Sequence, residues 1–101
     1  MSAPYSISVT HRAAAEIRQL AAWWQQHRFS APDAVQLELE RAFALLSVLP
    51  KVGAIAKNAR LANIRRIHLA KIYHHLYYRI AGNRIEILAL WHTSRYRVPG
   101  I

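Results

Sequence analysis

The hydrophobic pattern of this chain switches at Pro50 from a helical period to the alternation of strands. Before it, Ile17, Leu20, Ala21 and Trp24 fall at i, i+3, i+4 and i+7, and Val35, Leu39, Ala42, Phe43 and Leu46 repeat the same helical stripe. After it the alternation is every second residue, as in a half-buried strand. Two helices in succession followed by several strands do not build the alternating β-α-β units of a parallel α/β fold. They predict an α+β domain with its helices gathered on one face of a sheet.

The elements follow from local signals. Tyr5-Ser6-Ile7-Ser8-Val9 alternates and reads as a first strand, and Thr10 is placed to cap a helix over His11 to His27. Arg28-Phe29-Ser30 interrupts the stripe. Ser30 with Asp33 resembles a capping box, with Pro32 in the first turn, so the second helix is predicted over Ala31 to Leu49. The short connector implies an antiparallel helical hairpin. Lys51 to Ala62 has no sustained period and reads as a connector with room for a short strand or turn. Ile64 to Leu69 and Ile72 to Ala81 alternate, Gly82-Asn83 suits a two-residue hairpin turn, and Arg84 to Trp91 is apolar enough to be covered on both faces. The predicted order is β-α-α-β-β-β in one domain spanning 1–101, the first strand and the hairpin packing on one face of a small, mostly antiparallel sheet. Arg66, His68, His75, Tyr77 and Arg79 then share the face left open.

Charge is distributed as unevenly as periodicity. Residues 51–101 carry ten Lys and Arg against one acid, Glu86, whereas residues 1–50 balance four of each, so the whole formal charge of +9 belongs to the strand-forming half. A basic sheet face points to a polyanion: nucleic acid, an anionic membrane surface or an acidic protein. The chain has no cysteine, which excludes disulfides and thiolate metal sites and fits a reducing cytoplasm. The first ten residues lack a secretory pattern, and no uninterrupted apolar run approaches the ~18 residues of a membrane span.

The residue types narrow the chemistry further. His74 and His75 are neighbours in a strand and point to opposite faces, so they do not share a metal ion, and no carboxylate or cysteine stands near His68 and His75 to complete a ligand set. No metal and no cofactor is expected. Ser94 lies close to His92 but lacks a glycine-framed elbow, and no phosphate-binding glycine loop is present. Metal-free cleavage of RNA needs a base for the 2′-hydroxyl, an acid for the leaving oxygen and cations for the phosphorane. His75 or His92 suit the first two roles, Tyr96 an acid or a stacking ring, and Arg66, Arg79 and Arg95 the phosphate. The plainer reading is that the tyrosines cover sheet surface and the arginines keep a small protein in solution. Trp24 and Trp91 are expected in the core, while Trp23, beside the stripe, suits a weak contact with a protein partner.

The order and spacing of these pieces resemble the RelE/ParE superfamily of toxin–antitoxin toxins. The residues that carry it are the opening strand, the helical hairpin with its Leu49-Pro50…Gly53 exit, Ile64-Arg65-Arg66-Ile67-His68-Leu69, His75-Leu76-Tyr77-Tyr78-Arg79-Ile80, and Ile87-Leu88-Ala89-Leu90-Trp91-His92-Thr93-Ser94-Arg95. The resemblance implies a growth-inhibiting, plasmid-stabilising type of toxin neutralised by a cognate antitoxin in a hetero-oligomer. It implies one of two targets, DNA gyrase for ParE-like members or ribosome-bound mRNA for RelE-like endoribonucleases. By position, Arg66 and His68 match places where the nucleases carry basic residues, and His75 a place where they carry a phosphate-holding arginine. The ending His92-Thr93-Ser94-Arg95 is similar to the His-x-x-Arg of ParE-like members, while Tyr96 matches a tail tyrosine of some nucleases. The resemblance therefore implies a ParE-like toxin acting on gyrase first, a RelE-like endoribonuclease second. A basic nucleic-acid-binding module without toxicity is the third reading.

Overall fold

Thr10 joins the first helix to the sheet. In the computed structural model, which describes residues 4–57, 59–95 and 99–101, its hydroxyl accepts the Ala13 amide at 3.2 Å and donates to the Ile87 carbonyl at 3.0 Å. One side chain thus caps the helix and fixes where it leaves the sheet. Strand β1 (Ser6–Val9) precedes it and helix α1 (His11–His27) follows, closed at Arg28, whose amide bonds the Trp24 carbonyl at 2.8 Å.

Helix α2 runs Ala34–Val48, three residues later than the spacing predicts, and Asp33 at its N-cap makes no side-chain capping bond. The Ser30–Asp33 box does not form. Ala31 precedes Pro32 and is disfavoured from the helical region. The chain spends 28–34 in two tight turns instead, Ala31 N–H to Arg28 C=O at 3.0 Å and Ala34 N–H to Ala31 C=O at 3.2 Å.

The remaining strands are β2 (Ala54–Ile55), β3 (Arg65–Leu69), β4 (His74–Ala81) and β5 (Arg84–His92), in the sheet order β1-β5-β4-β3-β2. All pairings are antiparallel except β1 with β5, which is parallel. The α+β architecture is the one the sequence predicts, with the two-residue β2 added within the connector. Gly82 adopts φ +62° at the β4–β5 turn, a conformation that glycine tolerates without strain.

Tyr73 is not part of a strand. A 3-10 turn, Ala70–Ile72, separates β3 from β4, and Tyr73 closes it in the left-handed region at φ +57°. Alternation alone does not reveal such a turn, because Ile72, Leu76, Tyr78 and Ile80 keep one parity across it.

One core lies between the helices and the sheet. It joins Ala13, Trp24, Val35, Leu39, Ala42 and Leu46 from the helices to Leu69, Leu76, Tyr78, Ile85, Ile87 and Leu90 from the strands. A second, smaller cluster occupies the opposite face: Ile64, Tyr77, Leu88 and Ala89, covered by Ala56, Ala59 and Ile101. The face expected to be open is thus partly roofed, and Tyr77, at 1% exposure, belongs to its interior.

A β-bulge sets the phase of β5. Tyr77 pairs with Ala89 but Tyr78 with Ile87, so Leu88 is an extra residue opposite no partner. Strict alternation from Ile85 would place His92 away from the helices. The bulge reverses that and returns Leu90 to the helix-side core.

Candidate target-binding site

The sheet presents two chemically different sites, back to back. On the face away from the helices, His68 and His75 are directly paired across β3 and β4, with ring centroids 5.3 Å apart. Arg66 stands next along β3 and donates to the Tyr77 hydroxyl at 3.3 Å. Burial, reinforced by the charges of Arg66 and His68, lowers the His75 pKa from its ordinary value, so its imidazole is neutral near neutral pH. Arg66, His68 and His75 form one cluster, as the alternation predicts.

Arg79 shares that face, but its Nε donates to Glu86 Oε1 at 2.6 Å, and Arg84 reaches Glu86 Oε2 at 3.4 Å. The Arg79 hydrogen bond is the main reason the Glu86 carboxyl titrates below its usual range. The strand places Arg79 four residues from His75, about 13 Å at strand rise. Arg79 is thus set apart from His75 along the strand, and its Nε is engaged by a carboxylate that it shares with Arg84.

His92 belongs to the other site. It pairs with His74, and their rings meet edge-on with centroids 5.0 Å apart on the helix side of the sheet. His75 and His92, the alternative candidates for acid or base, are not brought together: the Leu88 bulge puts them on opposite faces. The His74 pKa is lowered, chiefly by burial and despite its Nδ1 donating to the Ile72 carbonyl at 2.6 Å. Nearby, Ser94 donates its amide to His92 Nδ1 at 3.1 Å. These residues line a cleft of about 440 Å³ with Leu20, Trp23, Trp24 and Arg28 from the end of α1, Tyr73, and Arg95. Sequence reading did not single out Arg28 or Tyr73 for this cleft, since the former sits at a helix end and the latter in an apparent strand.

Arg95 bridges the two sites at the end of β5. It lines the cleft, and its guanidinium lies over the Trp91 ring, 4.1 Å from the centroid. Trp91 is half-buried at the rim of the smaller cluster, with Arg12 from α1 also 5.6 Å from its centroid. Trp24 is buried in the main core, while Trp23 remains 42% exposed. Tyr96 lies outside the described residues.

An apolar groove of about 410 Å³ runs along Val48, Leu49, Pro50, Lys51 and Val52, where α2 exits toward the sheet edge. Val48, Leu49, Val52 and Ile55 are all substantially exposed there. Among the described residues, no group of three or more His, Cys, Asp and Glu side chains is placed to hold a metal ion, and no helix is long and apolar enough to cross a membrane.

Solved structures share this fold. The chain superimposes on the chromosomal ParDE system of P. aeruginosa with a TM-score of 0.71 at 21% identity, covering 92% of this chain and 100% of that one. The RelBE2 toxin–antitoxin complex of Mycobacterium tuberculosis gives a TM-score of 0.66 at 22% identity, with coverages of 94% and 98%. The YoeB dimer of Staphylococcus aureus gives 0.54 at 18%, with coverages of 89% and 98%. At these identities the likeness is one of fold. No curated protein sequence matches the chain. The family model described as the ParE toxin of the type II toxin–antitoxin system parDE does match, over residues 7–96, and the chain therefore belongs to the ParE toxin family.

Proposed function

We propose that this toxin inhibits growth by binding DNA gyrase in the cytoplasm, and that a cognate antitoxin neutralises it as a hetero-oligomer. The observation that carries the gyrase reading is the separation of His75 from His92 by the sheet. An acid and a base on opposite faces do not reach the two oxygens of one phosphodiester, whereas a binding mechanism needs no such pair. The family match supports the same direction.

The antitoxin reading rests on complementarity. A basic strand half beside an apolar groove at Val48–Val52 suits a partner segment that combines acidic residues with apolar anchors. Solved structures similar to this chain include toxin–antitoxin complexes.

The second reading, a ribosome-dependent mRNA endoribonuclease, draws on the Arg66–His68–His75 cluster, where a neutral imidazole stands beside a guanidinium. Supercoiling by purified gyrase separates the two. Inhibition with accumulation of cleaved DNA complexes is the expected result. Unimpaired supercoiling at stoichiometric excess, together with message cleavage only when ribosomes are present, would replace gyrase by the ribosome.

A further inference from the structure

The cleft at the end of α1 carries cations and an exposed ring but no acid. Its volume of about 440 Å³ lies within the ~300–1,000 Å³ of small-ligand sites. None of its lining residues is a carboxylate. The closest acid along α1, Glu16, lies in the adjoining recess, with Oε1 accepting the Leu90 amide at 3.1 Å and Oε2 facing Arg12 at 3.5 Å.

Two guanidiniums are held ready at this cleft. Arg28 lies over Trp23 and Trp24, 5.2 and 5.7 Å from their centroids, and Arg95 lies over Trp91. Neither forms an ion pair among the described residues. A guanidinium held over an indole keeps its in-plane N–H donors for a phosphate. His92 adds a third donor: its Nδ1 accepts from the Ser94 amide, so its ring proton is assigned to Nε2.

Tyr73 supplies the opposite character. Its backbone is held left-handed by two hydrogen bonds, its N–H to the Ala70 carbonyl at 3.3 Å and its C=O accepting the Thr93 amide at 3.0 Å. A non-glycine residue in that region is strained, and at 57% exposure little burial offsets the strain. Among the described residues no ring or cation stacks on it. The result is a bare aromatic face beside a triad of phosphate donors.

We propose that this cleft binds a nucleoside monophosphate unit, Tyr73 stacking on the base while Arg28, Arg95 and His92 Nε2–H hold the phosphate. The unit comes either as a free nucleotide or as the phosphorylated end of a strand. The site is distinct from the His68–His75 face and does not depend on which target the toxin poisons.

Calorimetric titration of the full chain with adenosine 5′-monophosphate tests it. Saturable one-to-one binding that weakens with added salt is expected. Tyr73→Ala and Arg95→Ala should each weaken it about tenfold or more, Tyr73→Phe should preserve it, and Arg41→Ala, away from the cleft, should leave it unchanged. Adenosine and inorganic phosphate should each bind about tenfold more weakly than the nucleotide, since each lacks half of the recognition. Tyr73→Gly relieves the backbone strain, so lost binding in that variant, with a raised melting temperature, separates recognition from unfolding. A 5′-phosphorylated oligodeoxynucleotide that binds more tightly than the nucleotide, with the same variant dependence, identifies a strand end as the source; weaker binding identifies the free nucleotide. Absence of saturable nucleotide binding would overturn the proposal. So would binding indifferent to both Tyr73→Ala and Arg95→Ala, or inorganic phosphate binding as tightly as the nucleotide.

Discussion

The Gly53 amide donates to the Tyr78 hydroxyl at 2.9 Å, and that hydroxyl donates onward to the Pro50 carbonyl at 2.8 Å. This relay ties the exit from α2 to the centre of β4. Arg65 adds to it by donating to the Gly53 carbonyl at 2.7 Å. A Cβ at Gly53 would stand 2.6 Å from the Tyr78 hydroxyl and 2.8 Å from the backbone oxygen of Arg66, which cannot rotate away. Gly53→Ala should therefore destabilise the fold by about 1–3 kcal/mol, a melting-temperature drop of several degrees in a thermal scan. Tyr78→Phe should cost about 1–3 kcal/mol by leaving the Gly53 donor unpaired in the interior. Because both changes act on one relay, the double variant should lose less than the sum.

Tyr73→Gly should stabilise the protein. The left-handed backbone costs a tyrosine about 1–2 kcal/mol, and glycine enters it freely. Part of that gain is returned through the greater entropy of glycine in the unfolded chain, so the expected net gain is about 0.5–1 kcal/mol. Denaturant melts should show a higher midpoint at an unchanged slope.

Stability should fall as pH drops below the ordinary histidine range. The His74 and His75 pKa values are both lowered, mainly by burial, so below about 6.5 the unfolded chain binds protons that the folded chain still refuses. The loss begins at that ordinary value and continues down to the lowered native ones, then levels. Glu86 adds a separate decline at more acid pH: its carboxyl is depressed by Arg79, so its contribution is present above the unfolded Glu value and disappears as pH falls through the native one. Chemical denaturation from pH 8 to about 2 should show both limbs. His74→Gln should reduce the first, leaving the share of His75, and Glu86→Gln should remove the second.

Substitutions at His75 and His92 should act independently on growth inhibition. The two rings lie on opposite faces, so their effects on gyrase inhibition should combine as a product to within about twofold. A shared catalytic step would instead make the double variant scarcely worse than the worse single one. Toxicity left intact by both Arg95→Ala and His75→Ala would remove the face bearing Arg66, His68 and His75 from the mechanism.

Periodicity made the helices, the long strands and the β4–β5 turn legible, because side-chain burial imposes it directly. Three features escaped it. Pro32 shifted the start of α2 through the conformation of Ala31, a backbone effect that the side-chain stripe does not record. The 3-10 turn before Tyr73 preserved the parity of its neighbours and so read as strand. The bulge at Leu88 lies in an all-apolar run, where alternation carries no phase and both faces look alike. The Arg66–His68–His75 cluster was readable because direct cross-strand pairing followed from regular alternation on β3 and β4. The cleft was not, since it assembles a helix end, a turn and a strand end.

The same bulge ties the composition of the core to the chemistry of the surface. If Leu88 paired with Tyr77, every residue beyond it would change sides: Trp91 would enter the cleft and His92 would join His75 and His68. That one-residue slip also pulls Leu90 out of the main core, forfeiting about 1.5–3 kcal/mol of burial. The leucine is thus a latch on the histidines. A polar residue in its place would weaken the preference between two ladders of equal length, one keeping two half-sites apart and the other assembling them into one. Position 90, whose side chain belongs to the main core, is where a sequence on this fold can trade one arrangement of histidines for the other.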